Sequence, residues 1–244
     1  IVNDGEFGKS SWASYVLDRI SGFERTDKVL PVHWLGRDLE RFPEVIEQEF
    51  PTLRSGLPTY CCNAAIAYTK PEDIRREIEY FKSALSQVKA EEGFVTVVAP
   101  ASAVYNAYNE HYANEREYLF ALAEALRQEY LEVYRAGLIV QVHDGVLANM
   151  YDHLVQQSPQ EYRKWAELRI EALNHALRDI PEDRIRYHVC FGSWHVPHLS
   201  DAPLEHSPVA RDGGQTNPGQ AGQRLDGVEI AHRHGAEQHA GELI

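Results

Sequence analysis

The chain is poor in sulfur, with one Met and three Cys in 244 residues. Three thiols, two of them adjacent at Cys61 and Cys62, cannot build a disulfide framework and suit a reducing compartment. A cytoplasmic protein is expected. Cationic side chains are also short, 24 Lys and Arg against 37 Asp and Glu, for a net charge of -13. This argues against nucleic acid as a partner, because a phosphate backbone demands clustered Lys and Arg. A small anionic substrate is not excluded, since a pocket can be locally basic on an acidic protein. No apolar run approaches membrane-spanning length, and no basic-then-apolar leader opens the chain, so no membrane association is expected. No Gly-rich dinucleotide fingerprint follows a strand-like run. Nor is there an initiating Met: the first residue is Ile1, inside a strand-like run, which leads us to expect a partial product.

What is present is ordinary for a globular α/β protein, 43% hydrophobic and 25% charged, with ample chain for a core. Strand character appears in residues 1–6, 58–66, 94–99 and 138–142, and again before Cys190. Pro100 stops the clearest of these, the β-branched run Phe94-Val95-Thr96-Val97-Val98. Between them lie helical patterns. A short helix is predicted over 11–20. Thr69 with Glu72 reads as a capping box ahead of the stripe Ile74, Ile78, Phe81, Leu85. Asn114 with Glu117 and Ser158 with Glu161 open two longer helices, and Gly137 closes the first of them. Residues 23–58 hold several prolines and read as an excursion between core elements. Residues 206–244 contain no aromatic side chain and no lasting period, and a disordered or foreign tail is expected there. Its His232, His234 and His239 resemble a metal tract, although His-rich tails generally bind nothing specific.

Apolar strands alternating with amphipathic helices predict a parallel sheet with helices outside it. The polar residues gather at strand C-terminal ends: Asp4 and Glu6, Cys62 and Asn63, His143 and Asp144, His188 and Cys190. A (β/α)₈ barrel puts all such ends on one catalytic face, and a doubly wound sheet also binds ligands there. His188 and Cys190 are the sharpest pair. Residues two apart on a strand share a side, and an imidazole beside a thiol suits Zn²⁺. A hydrogen-bonded His near a buried Cys is the plainer reading of the same pattern. Glu6 suits a substrate ammonium or acid–base work, or is simply a turn carboxylate. His143 and Asp144 form a dyad or a turn. Trp194, His195 and His198 wall a pocket or belong to a loop.

Four segments together resemble the cobalamin-independent methionine synthase family: residues 3–9, the 117–137 helix, 141–148, and 187–204. The shorter, single-barrel members, which include the epoxyalkane:coenzyme M transferases, are the nearest in character. The resemblance implies a (β/α)₈ barrel over residues 1–205, incomplete at both ends, with residues 206–244 outside it. It implies that His188 and Cys190 are zinc ligands and that Glu6 contacts an amino-thiol substrate. Asp4, His143 and Trp194 are expected on the substrate side, and Asp144 as an acid for the leaving group. Where the family ends a strand in two acids, this chain has His143-Asp144. The family also completes its zinc site with a later Cys, and none follows Cys190, so a truncation or frame change after Glu205 is expected. The implied activity is zinc-dependent methyl transfer from a methylated folate to a thiol such as homocysteine. The alternatives are an epoxide-opening thiol transferase, a metal-free uroporphyrinogen decarboxylase-like barrel, and a non-catalytic remnant. No oligomeric state follows from the sequence.

Overall fold

The computed structural model describes residues 1–30, 37–49, 59–155 and 158–190, with residues 229–230 as a further strand. Its main sheet is parallel. It runs β1 (Val2–Asn3), β4 (Gly93–Val98), β6 (Ile139–Asp144), β7 (Ile185–Val189) and β8 (Glu229–Ile230), in that spatial order. The sheet is open among the described residues and does not close into a barrel.

The crossovers follow from the sequence periods. α3 (Pro71–Leu85) starts on Pro71, which needs no backbone N–H there. α5 (Glu115–Arg135) is capped by Asn114, whose side chain accepts from Glu117 N at 2.9 Å while its amide donates to the Glu117 carboxylate. Gly137 (φ 81°) turns the chain out of α5 in the left-handed region, where a β-carbon would be strained. α8 (Pro159–Leu177) is capped by Ser158, which accepts from Glu161 N at 3.0 Å. Ser158→Ala or Asn114→Ala should each cost about 1 kcal/mol in urea unfolding. A loss below about 0.3 kcal/mol would show that these ends are held by tertiary contacts instead.

These helices bury Leu122, Leu126, Tyr130, Leu173 and Ala176 against Val95, Val97, Val140, Val142 and Tyr187 of the sheet. Tyr130 also donates its hydroxyl to the Val98 carbonyl at 2.5 Å, so its polar tip is satisfied inside the core.

Three expectations need correction. The 58–66 strand is β3 (Thr59–Cys62), and it does not join the main sheet. It pairs antiparallel with β2 (Phe23–Thr26) and parallel with β5 (Ala107–Asn109), so Cys62 and Asn63 do not share an edge with His188. The capping box at Thr69 does not form. Lys70 is the residue before α3, and the Thr69 hydroxyl donates instead to the Arg19 carbonyl at 3.0 Å. The 11–20 helix is only a 3₁₀ turn, Ser14–Asp18. The remaining elements are short: α1 (Asp38–Arg41), α2 (Pro43–Glu49), α4 (Pro100–Ala103), α6 (Val146–Asn149) and α7 (Tyr151–Val155). Among the described residues no helix is long and apolar enough to cross a membrane.

Candidate functional site

Strand register sets the site. His143 on β6 and His188 on β7 are direct partners, and their rings lie 4.6 Å apart between centroids. Cys190 stands one residue past β7, yet its N–H still donates to the Asp144 carbonyl at 3.0 Å. The extended path therefore continues through Cys190, which keeps its side chain on the side of His188. Gln141, two residues before His143, is 2.7 Å from His143 Nε2 through its amide nitrogen. With that amide donating, the ring proton sits on Nδ1.

The same face continues downward. Gln141 lies in register with Thr96 on β4 and Arg186 on β7. Lys9 donates to the Thr96 carbonyl and hydroxyl at 2.6 and 2.9 Å. The Arg186 guanidinium sits 4.6 Å from the centre of the Phe94 ring. The sheet thus has an apolar face under the helices and a polar face carrying Thr96, Gln141, His143, Arg186 and His188.

Asp144 points the other way. It is 2% exposed, and its carboxylate accepts from Ser102 Oγ (2.7 Å), Tyr187 Oη (2.9 Å) and Leu147 N (3.2 Å). Burial raises its pKa, against the lowering effect of the Ser102 and Tyr187 hydrogen bonds. Ser102 in turn accepts from the N–H groups of Gly145 and Val146 at 3.1 and 3.2 Å. This set ties the ends of β6 and β7 together behind the two imidazoles.

Asp4 and Glu6 follow β1, which β4 separates from β6. The loop is tight: Asn3 Oδ1 accepts from Gly5 N and Asp4 Oδ1 from Glu6 N, at 3.3 and 3.2 Å. Glu6 itself has φ 59°, a left-handed conformation costing about 1 kcal/mol or more for a non-glycine residue. The turn carries Lys9 back under the sheet to Thr96. Trp194, His195, His198 and the His-rich tail lie outside the described residues.

The structure therefore brings His143, His188 and Cys190 to one edge, sets Asp4 and Glu6 two strands away, and turns Asp144 inward. Among the described residues, no three His, Cys, Asp or Glu side chains are gathered closely enough to hold a metal ion. The donor types of His188 and Cys190 nevertheless fit half of a zinc site. A cavity of about 450 Å³ lies between β1 and α3 and takes in Asp4, Phe7 and Glu77, but none of His143, His188 or Cys190 lines it.

Two features escaped the sequence reading. Trp12 packs 5.3 Å from Tyr105 and covers Gly145, where a β-carbon would stand 3.3 Å from the indole and 3.7 Å from Cys190 Cβ. Nothing in the local sequence announces that wall. Arg186 was also overlooked, although its position two residues before His188 gives it the same face.

The thiols separate by environment. Cys61 and Cys62 are 5% and 0% exposed, and burial pushes the Cys62 thiol up to about 11. Cys190 is half-buried. In chelator-treated, metal-free protein at pH 8, iodoacetamide should label Cys190 at least about ten times faster than either of the others, because only accessible thiolate reacts. Mass spectrometry of timed digests checks this, and equal rates would mean that the β3 region opens readily.

A parallel α/β sheet with polar chemistry at its C-terminal edge defines the class. No protein-family model matches the chain. It is 24% identical over 208 residues to methionine synthase of Saccharolobus islandicus, covering 84% of this chain and 52% of that protein. It is 23% identical to methionine synthase of Sulfurisphaera tokodaii over 195 residues, 80% of this chain and 47% of that protein. The chain thus spans about half the length of the curated relatives it matches. In fold it is similar to a B12-independent methionine synthase from Shewanella sp. W3-18-1, solved in complex with selenomethionine. The TM-score is 0.52 at 16% identity, over 79% of this chain and 46% of that one. In sequence, then, the chain is similar to archaeal methionine synthases, and in fold to a B12-independent one.

Proposed function

We propose that this chain is a cytoplasmic catalytic unit for zinc-dependent methyl transfer, on a (β/α)₈-type scaffold, from a methylated folate to a small thiol such as homocysteine. One observation carries the reading: His188 and Cys190 share the edge and face on which His143 stands, in a chain related to methionine synthases. His188 and Cys190 would hold the zinc. Bound there, zinc supplies the Lewis acidity that keeps a substrate thiol deprotonated at neutral pH.

The chain's own residues do the rest. His143, with Nε2 engaged by Gln141, lines the thiol side. Asp4 and Glu6, set across the sheet from His143, would face the substrate ammonium. Trp12, and Trp194 beyond it in sequence, would exclude water from the reacting atoms. Asp144 is placed to hold the β6 and β7 ends. Its carboxylate accepts from the buried Tyr187 and Ser102 hydroxyls on the side away from His143, so it takes no part in protonating the leaving group. In the transfer the thiol loses its proton, sulfur bonds to the methyl carbon, the donor's carbon–nitrogen bond breaks, and that nitrogen takes a proton.

Purified chain with homocysteine and methyl-folate should form methionine, followed by chromatography, and the product should disappear on chelation. Zinc-loaded, folded protein that forms no methionine would overturn the reading. His143-Asp144, in place of two acids, favours as second choice a thiol lacking an amino group. Conversion of an epoxide with 2-mercaptoethanesulfonate would select that epoxide-opening transferase.

A further inference from the structure

Arg186 has no role in the chemistry above, and its surroundings are unusual for an arginine. Its guanidinium lies over the Phe94 ring, so the side chain crosses β6 on the polar face of the sheet. Its Nε is buried and has no hydrogen-bond partner. Among the described residues no carboxylate stands within ion-pair distance of it, although the protein carries 37 acidic side chains. A buried donor left unmatched costs free energy, and a guanidinium presents a planar fork suited to a carboxylate or sulfonate. The charged neighbours do not compete strongly. Lys9 is committed to Thr96 on the same register level, and Gln141 between them is committed to His143.

We propose that Arg186, held over Phe94, anchors the terminal anion of the small sulfur substrate whose reactive end lies at His188 and Cys190. The inference rests on the function proposed above and names the substrate class, a short thiol acid. Arg186 stands two residues before His188, roughly 7 Å apart along the strand between their backbones, and its side chain then reaches across β6 to Phe94, so the guanidinium lies on the same face but farther than that from the His188 edge. The probes accordingly carry an anion and a sulfur separated by a chain of three or four carbons. The aromatic ring fixes the guanidinium in place and shields one side of it from water, which strengthens a bidentate contact.

The test needs no metal. The probes are 4-(methylthio)butyrate, its uncharged amide, and 3-(methylthio)propanesulfonate, titrated calorimetrically into the full chain. The acid or the sulfonate should bind about 10- to 100-fold more tightly than the amide, the range for one charge-assisted contact. Whichever anion binds more tightly identifies the terminus. Arg186→Gln should reduce the discrimination to below about 2-fold, and Arg186→Lys should keep part of it, since a point charge replaces the fork. Circular dichroism establishes that each variant is folded.

Acid and amide binding alike, no binding of any probe, or discrimination that survives Arg186→Gln would each overturn the anchor. Arg186-dependent discrimination in a chain that forms no methionine would keep the anchor and sink methyl transfer. Methionine formation with no discrimination would do the reverse.

Discussion

Cys190→Ser should leave the folded chain without zinc. Purified wild-type protein is expected to carry close to one zinc per chain, and the variant's affinity should fall at least about 100-fold, since removing even an outer-sphere partner costs 10- to 100-fold. His188→Ala should do the same. His143→Asn should keep the metal and weaken thiol binding, because His143 enters the reading on the substrate side. Metal analysis by mass spectrometry, with cobalt absorption as a second readout of thiolate ligation, distinguishes these outcomes. Full zinc in Cys190→Ser would remove the half-site from the proposal. The effect is large because a metal site binds as a unit: losing one of few ligands leaves the others unable to offset the ion's dehydration. The fold should survive, since Cys190 is half-buried and Ser retains its backbone N–H to the Asp144 carbonyl.

Glu129→Ala should destabilise the protein by about 3–5 kcal/mol, the usual cost of removing one partner from a buried ionic cluster. Glu129 sits on α5 with its side chain 1% exposed. It accepts from Tyr15 (2.7 Å), Tyr68 (2.8 Å) and Arg19 (3.0 Å), and Arg19 also pairs with Glu77 on α3. Burial on its own would lower the Arg19 pKa, but Glu129 and Glu77 outweigh it and hold the guanidinium charged. Burial first, then Glu129, raises the Tyr15 and Tyr68 phenols, so both remain donors. Truncating Glu129 leaves one cation and two hydroxyls short of acceptors inside the core. In a domain of this size the melting temperature should drop by roughly 6–20 °C. Glu129→Gln, which keeps one acceptor oxygen, should lose clearly less. A loss under about 1 kcal/mol for Glu129→Ala would mean that water or Glu77 takes over the vacated donors. The cluster ties the 3₁₀ turn at Ser14–Asp18 to α3 and α5, and so it also holds the segment that carries Trp12 toward Cys190.

Much of this was readable locally. The α5 and α8 caps, the Gly137 stop and the β4 and β6 strands depend on neighbours within a few residues, so propensity and period reach them. The His188–Cys190 pairing needed only the alternation of a strand. β2 and β5 were missed because they are short and polar and exist through pairing with β3, whose residues lie 33 to 39 and 47 positions away in register. Glu129 reads in sequence as an exposed helix carboxylate, and only Arg19 and the two tyrosines, brought in from distant segments, account for its burial.

By itself the sequence determined the long helices α3, α5 and α8, the parallel strands β4, β6 and β7, and which donor types crown β6 and β7. These are set by side-chain chemistry and by periods of two and 3.6. Only the tertiary structure decided that His143 faces His188 while Asp144 faces Ser102 and Tyr187. Adjacent strand residues always point opposite ways, but which side is polar depends on where the helices pack. It likewise decided that Cys62 leaves the site and Arg186 enters it, because sheet membership and register are long-range pairings that no local pattern encodes.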